Sequence, residues 1–206
     1  MKNLMRTGAA LIVILFMFSF KLINPGSYVP GDRARDFKLK NVNGKMVSLA
    51  DFKDAKGFIV VFTCNHCPFS QAYEQRLIDL DKKYAAQGYP VIAINPNDKN
   101  VAPDDSYENM VSNAKEKGFT FPYLYDESQE IAQAYGAART PHVFVLQKSA
   151  KDNIVKYVGA IDDNADEAGA VTKRYVEDAV NQLLDGKAIA VPSTKAVGCS
   201  IKWKKA

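Results

Sequence analysis

The chain has 206 residues, of which 47% are hydrophobic and 24% are charged, and its formal net charge is +4. This composition fits one ordinary globular domain with short appendages, whose core needs no covalent staples. The charge is spread along the chain and no long basic tract is interleaved with aromatic residues, which argues against nucleic acid as a partner. Three cysteines are too few for a disulfide scaffold of this length and favour a chemical use of the thiols.

The first residues have the layout of an export signal. A short basic region at Lys2 and Arg6 precedes an uncharged segment at 8–20. That segment is shorter than the about 20 residues a membrane span usually needs, and no clear cleavage site follows it. Residues 1–23 are therefore predicted to be a signal peptide or a membrane anchor, and residues 24–30 a linker. Either outcome predicts an exported protein, periplasmic or anchored so that it faces the periplasm, where thiols meet an oxidising compartment.

Strand patterns begin after the linker. Asn43-Gly44 is a two-residue hairpin signal between the segments 37–39 and 46–49. The run Gly57-Phe58-Ile59-Val60-Val61-Phe62 is continuously apolar, which is typical of a central strand buried on both faces.

Helix and strand patterns alternate through the rest of the chain. Apolar residues recur at helical spacing from Pro68 until Gln87-Gly88 supplies a stop. Further strands are predicted at 91–95, 123–125, 142–146 and 154–158, the last two antiparallel, and further helices at 107–117, 129–135 and 172–184. The β-then-α steps predict a mostly parallel sheet in a single α/β domain at 31–187, followed by a C-terminal tail at 188–206.

Cys64 and Cys67 form a Cys-x-x-Cys pair between the predicted central strand and the helix that starts at Pro68. The free N–H groups and the positive dipole end of a helix stabilise a thiolate, so Cys64 is predicted to have a lowered pKa and to be the attacking thiol. Cys67 is predicted to be the resolving thiol that releases the partner from a mixed disulfide. His66, when protonated, would favour the thiolate, and Pro68 suits a first helical turn, so both are predicted to modulate the pair.

The third cysteine leaves several interpretations open. Cys199 could be an additional resolving thiol, a pairing site for another chain, or an inert thiol beneath Trp203, and structural burial is slightly favoured. A zinc site of the four-cysteine type is excluded by the cysteine count. No nucleotide, flavin or haem motif is present, so no cofactor is predicted and electrons are expected from the thiols of a protein or small-molecule redox partner.

The chain resembles the thioredoxin superfamily, and within it the redoxin branch of the alkyl hydroperoxide reductase and thiol-specific antioxidant (AhpC/TSA) proteins. The segments that carry the resemblance are Val29-Pro30-Gly31-Asp32, Phe62-Thr63-Cys64-Asn65-His66-Cys67-Pro68, Thr140-Pro141 and Gly198-Cys199-Ser200-Ile201-Lys202-Trp203. The resemblance implies a thioredoxin-like fold, with a central mixed β-sheet flanked by helices, and thiol–disulfide oxidoreductase activity. It also implies a cis bond before Pro141, with Thr140 and Pro141 contacting the substrate.

A peroxiredoxin-like thiol peroxidase with antioxidant activity is the second hypothesis. The branch's motif Pro-x-x-x-Thr/Ser-x-x-Cys places a hydroxyl group near the reactive thiol to help polarise the O–O bond. Aligned on Cys64, the motif meets Val61 and Gly57 at its hydroxyl and proline positions, and aligned on Cys67 it meets Cys64 and Val60. Neither alignment fits, so disulfide exchange ranks first.

A copper(I) carrier is the third hypothesis, although no metal site is assigned. Two soft thiolates and imidazole groups suit copper(I), and Cys64, Cys67, His66 and His142 would supply them if His142 faced the dithiol. The two-residue spacing of the cysteines and the placement of His142 at the start of a strand weigh against it.

Overall fold

The structure is a computed structural model that describes residues 26–205, which contain ten strands and four α-helices. The strands are β1 (Arg33–Ala34), β2 (Leu39–Asn41), β3 (Met46–Val47), β4 (Gly57–Phe62), β5 (Val91–Asn95), β6 (Tyr123–Tyr125), β7 (Arg139–Thr140), β8 (His142–Lys148), β9 (Asn153–Gly159) and β10 (Cys199–Ser200). The helices are α1 (Pro68–Tyr84), α2 (Tyr107–Lys117), α3 (Glu130–Tyr135) and α4 (Tyr175–Leu184).

The N-terminal prediction lies largely outside the described residues. The signal peptide or anchor at 1–23 falls wholly there, and so does the start of the linker at 24–30. Within residues 26–205, none of the helices combines the length and the apolar character needed to cross a membrane.

Eight of the strands form one mixed sheet in the order β1-β9-β8-β4-β5-β6-β2-β3. The pairs β4–β5 and β5–β6 are parallel, and the other five neighbouring pairs are antiparallel. The prediction of a mostly parallel sheet is therefore wrong, because hairpin connections such as β2–β3 and β8–β9 need no crossover helix. The central mixed sheet that the resemblance implies is confirmed.

Strand β4 lies at the centre of the sheet and is buried on both faces. Ile59 and Val61 belong to an apolar cluster that includes residues of α1 and α4, whereas Phe58, Val60 and Phe62 belong to a second cluster that includes residues of α3. All five side chains are 0% exposed, and full burial of such a side chain stabilises the fold by about 1.5–3 kcal/mol. The segment that follows β4 is therefore attached to the fully buried centre of the sheet.

Helix α4 begins later than the sequence predicts. The pattern placed its start at Thr172, whereas the helix begins at Tyr175 and ends at Leu184. Thr172 is held in the preceding loop, because its backbone N–H donates to Asp163 Oδ1 over 2.9 Å and its hydroxyl donates to the other oxygen of the same carboxylate. Such hydrogen bonds from a threonine to a nearby side chain stabilise a loop conformation in competition with the helix.

Candidate active site

The connection between β4 and α1 carries the first two cysteines. Thr63 continues the path of β4, since its N–H donates to the Ile94 carbonyl oxygen over 2.9 Å, and Cys64 follows it. Cys67 is the N-cap residue of α1, and Pro68 occupies the first helical position, where its missing N–H costs nothing. The predicted strand, cysteine turn and helix are all present.

The cysteine pairing differs from the one expected. Cys67 is disulfide-bonded to Cys199, with their Cα atoms 6.1 Å apart, and Cys64 is a free thiol. The interpretation of Cys199 as an inert thiol beneath Trp203 is therefore wrong. Its partner was hidden from sequence reasoning because 132 positions separate the two residues.

The Cys64 thiol is buried beside two hydroxyl groups. Its Sγ lies 3.3 Å from Thr140 Oγ1 and 3.8 Å from Ser70 Oγ, and the residue is 3% exposed. Burial raises the pKa of this thiol above its ordinary value of 9.0, and the negative charge of Asp105 raises it further. Hydrogen bonds from Thr140, the Cys67 backbone and Ser70 oppose that rise without cancelling it.

The expectation of a lowered Cys64 pKa is thus wrong. The stabilisation that a helix N-terminus gives to an anion falls off within its first turn. Helix α1 begins at Pro68 with Cys67 as its cap, so Cys64 precedes the helix while burial and Asp105 act on its sulfur.

Asp105 organises the loop between the two cysteines. It is fully buried and accepts hydrogen bonds from the backbone N–H groups of Asn65 (2.7 Å) and His66 (3.2 Å), from His66 Nδ1 (2.5 Å) and from Asn97 Nδ2 (2.7 Å). His66 therefore pairs with Asp105, so any positive charge on its ring lies against a carboxylate. Sequence reasoning missed Asp105, whose one local signal is its position just before Ser106, the N-cap of α2.

Removing the charge of Asp105 should make Cys64 more reactive. We expect Asp105→Asn to lower the Cys64 pKa, which increases the thiolate fraction at neutral pH and speeds alkylation by iodoacetamide severalfold. With the Cys67–Cys199 bond in place Cys64 is the free thiol, and mass spectrometry measures the alkylation of Cys64 itself. Asp104→Asn, which changes an exposed neighbour, is the matched control and should react like the unmodified protein. Equal rates for the two variants would show that the charge of Asp105 does not act on the thiol.

Of the two predicted substrate-contact residues, Thr140 lies against both cysteines. The bond between Thr140 and Pro141 is cis, as the resemblance implies, and both residues are buried. Thr140 meets Cys64 through its hydroxyl group and Cys67 through its carbonyl oxygen, which is 3.2 Å from Cys67 Sγ. Substrate contact by Thr140 and Pro141 stays a prediction.

His142 is a core residue in this structure. It is 7% exposed, its Nδ1 accepts from the Ala138 N–H over 3.4 Å, and its ring centroid lies 4.7 Å from that of Phe144. Among the described residues, the potential metal-binding group near the cysteines comprises Cys64, His66 and Asp105, whose ligand atoms lie within 4.8 Å of one another. The copper ligand set of the third hypothesis is thus not assembled while Cys67 is disulfide-bonded.

The buried His142 should make the fold sensitive to mild acid. Burial, with the nearby charge of Arg139, lowers its pKa from 6.5 to about 4. As the pH falls through this window the unfolded chain binds the proton first, so the free energy of unfolding falls by about 3 kcal/mol. We expect His142→Asn to lose that part of the pH dependence, measured by urea denaturation at pH values from 6.5 to 4. Parallel curves for the two proteins would contradict this assignment.

Comparisons with known proteins agree with the fold and with thiol–disulfide redox activity in general. Residues 30–158 match the AhpC/TSA family. The thiol-disulfide oxidoreductase ResA of Bacillus subtilis is 24% identical over 186 residues, which cover 88% of this chain and 93% of ResA. An uncharacterized conserved protein of Geobacillus kaustophilus is 39% identical, with a TM-score of 0.79 and coverage of 86% of this chain and 93% of that one. A thioredoxin family thiol:disulfide interchange protein of Chlorobium tepidum is 22% identical, with a TM-score of 0.50 over 62% of this chain and 85% of its own, and supports the thioredoxin-like fold.

Proposed function

Because the chain belongs to the AhpC/TSA family, we propose that this oxidoreductase exchanges disulfides with protein or small thiol partners through Cys64 and Cys67. Cys64 is the attacking thiol and Cys67 the resolving thiol. The name of the ResA relative, a thiol-disulfide oxidoreductase, supports the same reaction class.

The observation that carries the proposal is that a free thiol and a disulfide sulfur both lie against Thr140. Cys64 Sγ and Cys67 Sγ both contact Thr140, and Cys67 already forms a disulfide. A sulfur that accepts a partner thiol in the oxidised state can also attack a mixed disulfide once it is reduced. The hydroxyl groups of Thr140 and Ser70 then stabilise the Cys64 thiolate as it forms.

The reaction balances as a two-electron exchange. In the reduced protein the Cys64 thiolate attacks one sulfur of the partner's disulfide, a mixed disulfide forms and the other partner sulfur leaves as a thiol. Cys67 then attacks Cys64 Sγ, a Cys64–Cys67 disulfide forms and the second partner sulfur leaves. The partner is reduced and the protein is oxidised, and reversal of the same steps oxidises a partner.

Turnover of a disulfide-bonded peptide tests the proposal. With dithiothreitol as the source of electrons, the protein should speed release of thiols from the peptide well above the rate with dithiothreitol alone. Protein that has been reduced and alkylated is the control and should give the background rate. Equal rates with active and alkylated protein would sink the proposal.

Peroxide reduction is the second candidate, and the two hydroxyl groups around Cys64 are the observation that favours it. The family motif would place a hydroxyl group at position 61, where this chain has the buried Val61. Thr140 Oγ1 and Ser70 Oγ lie beside Cys64 and supply hydrogen-bonding groups in its place. The Cys64 thiolate would attack one peroxide oxygen, the O–O bond would break with the other oxygen leaving as water, and Cys64 would become a sulfenic acid. A second thiol would then displace the sulfenic acid oxygen as a second water and form a disulfide. Consumption of hydrogen peroxide by the reduced protein measures this activity, and we expect it to be slow because Val61 and Gly57 stand at the hydroxyl and proline positions of the peroxidase motif.

We place the enzyme outside the cytoplasm, free in the periplasm or tethered by its N-terminal segment. The basic and then apolar composition of residues 1–23 supports this. The Cys67–Cys199 disulfide also suits an oxidising compartment. Fractionation of cells that produce the full chain tests the placement, and recovery of the protein solely in the cytoplasm would refute it.

A further inference from the structure

The C-terminal tail covers the backbone edge beside the active-site cysteines. Strands β7 and β10 form an antiparallel ladder in which Cys199 lies opposite Thr140 and Ser200 opposite Arg139. An extended peptide that adds to a strand edge would use the same backbone groups. In this oxidised state the edge is therefore occupied by the protein itself.

The fit of the tail at this edge is close. Gly198 permits the approach, because a Cβ atom at this position would lie 2.3 Å from the Thr140 carbonyl oxygen. The Arg139 guanidinium donates to the Gly198 carbonyl oxygen over 2.9 Å. Beyond the strand, Ile201 is 4% exposed and its N–H donates to the Ala138 carbonyl oxygen over 3.3 Å. Residues 198–201 thus lie as a bound cysteine-containing peptide would lie.

The free thiol is close to the disulfide that holds this segment. Cys64 Sγ lies 3.3 Å from Thr140 Oγ1, and Cys67 Sγ lies 3.2 Å from the carbonyl oxygen of the same residue. The Cys67 backbone also hydrogen-bonds to Cys64. A nucleophile and a disulfide therefore lie against the same residue, Thr140, and the exchange proposed above gives Cys199 no role.

We propose that Cys199 is a third redox-active thiol and that residues 198–201 are an internal substrate, which Cys64 displaces by attacking Cys67. The proposal rests on Cys64 and Cys67 acting as the exchanging pair. The Cys64 thiolate attacks Cys67 Sγ, a Cys64–Cys67 bond forms and the Cys67–Cys199 bond breaks. Cys199 leaves as a thiolate and takes up the proton that Cys64 gave up. The numbers of disulfides and electrons are unchanged, so no outside oxidant or reductant is needed.

The exchange connects two disulfide isomers with different surfaces. With the Cys67–Cys199 bond, the tail is covalently held on β7 and Cys64 is buried. With the Cys64–Cys67 bond, only non-covalent contacts hold the tail, so an extended cysteine-containing peptide can compete for the edge of β7. Substrates of this type are expected to have a small residue before the cysteine, as Gly198 does here, and an apolar residue two positions after it, as Ile201 does.

Disulfide mapping without any substrate tests the exchange. The oxidised full chain is incubated at mildly alkaline pH without reductant, quenched with acid, alkylated and mapped by mass spectrometry. We expect two species, one alkylated at Cys64 with a Cys67–Cys199 bond and one alkylated at Cys199 with a Cys64–Cys67 bond. Cys64→Ser should give the Cys67–Cys199 bond alone. Alkylation at Cys64 alone in the unmodified protein would overturn the proposal.

A pair of glycine variants tests the internal-substrate geometry. Gly198→Ala should push the tail off β7 and raise the fraction alkylated at Cys199 severalfold, whereas Gly169→Ala, where an added Cβ meets nothing within 4 Å, should behave like the unmodified protein. An unchanged fraction in Gly198→Ala would contradict the proposal. No partner is present in the disulfide mapping, so its results are independent of peptide turnover. Turnover without isomer exchange would overturn only the proposed role of Cys199. Isomer exchange without turnover would overturn only the proposed function.

Discussion

Replacing Cys64 with serine should reduce peptide disulfide turnover to the uncatalysed background. A serine hydroxyl cannot form the thiolate that attacks a disulfide, and Cys67 acts in the second step, on a mixed disulfide that Cys64 must form first. The loss is measured as release of peptide thiols with dithiothreitol present.

The Cys67–Cys199 disulfide serves as the control for this variant. Cys64→Ser should still form the Cys67–Cys199 disulfide, since neither of its sulfurs is altered, and mass mapping checks that the variant is folded. A folded variant that turned over the peptide at the unmodified rate would show that Cys64 is not the attacking thiol.

Replacing Cys67 with serine should trap the reaction at its midpoint. Cys64 can still attack the partner, but the thiol that resolves the mixed disulfide is missing, so a covalent complex through Cys64 should accumulate. Non-reducing electrophoresis followed by peptide mapping detects it. If the variant turned over freely with no trapped complex, Cys67 would not be the resolving thiol.

The effect of losing the disulfide on stability must be distinguished from the effect of losing the resolving thiol on the reaction. Both Cys67→Ser and Cys199→Ser remove a crosslink between positions 132 residues apart, which typically lowers the free energy of unfolding by about 2–5 kcal/mol. Cys199→Ser is therefore the matched control for stability. It retains the Cys64 and Cys67 thiols and should not accumulate the trapped complex.

The elements that sequence reasoning found correctly are those specified by local pattern. The apolar run that became β4 is buried on both faces, and the helix that begins at Pro68 ends before Gly88, which has a φ of 94°. The two short strands β7 and β10 were missed, because each has two residues and its partner is far away in the chain. Such pairs leave no periodic signal.

The sequence predicted which residues form the candidate site, but it did not predict the pKa shift of Cys64 or the disulfide partner of Cys67. Cys64, Cys67, His66, Thr140 and Pro141 are near one another, as the motif and the resemblance implied. The raised pKa of Cys64 depends on burial and on Asp105, which is 41 positions further along the chain, and the helix-terminus argument used local information alone. Tertiary contacts decided both the direction of the pKa shift of the thiol and the partner of the disulfide.

A single-turnover competition shows whether Cys64 reacts first with a disulfide or with peroxide. The fully reduced protein is mixed with equal concentrations of a disulfide-bonded peptide and hydrogen peroxide, quenched after a short delay and mapped by mass spectrometry. We expect the peptide to react first, giving reduced peptide and a peptide adduct at Cys64. Oxidation of Cys64 to a sulfenic acid, with the peptide left intact, would contradict it and make peroxide reduction the function of this site.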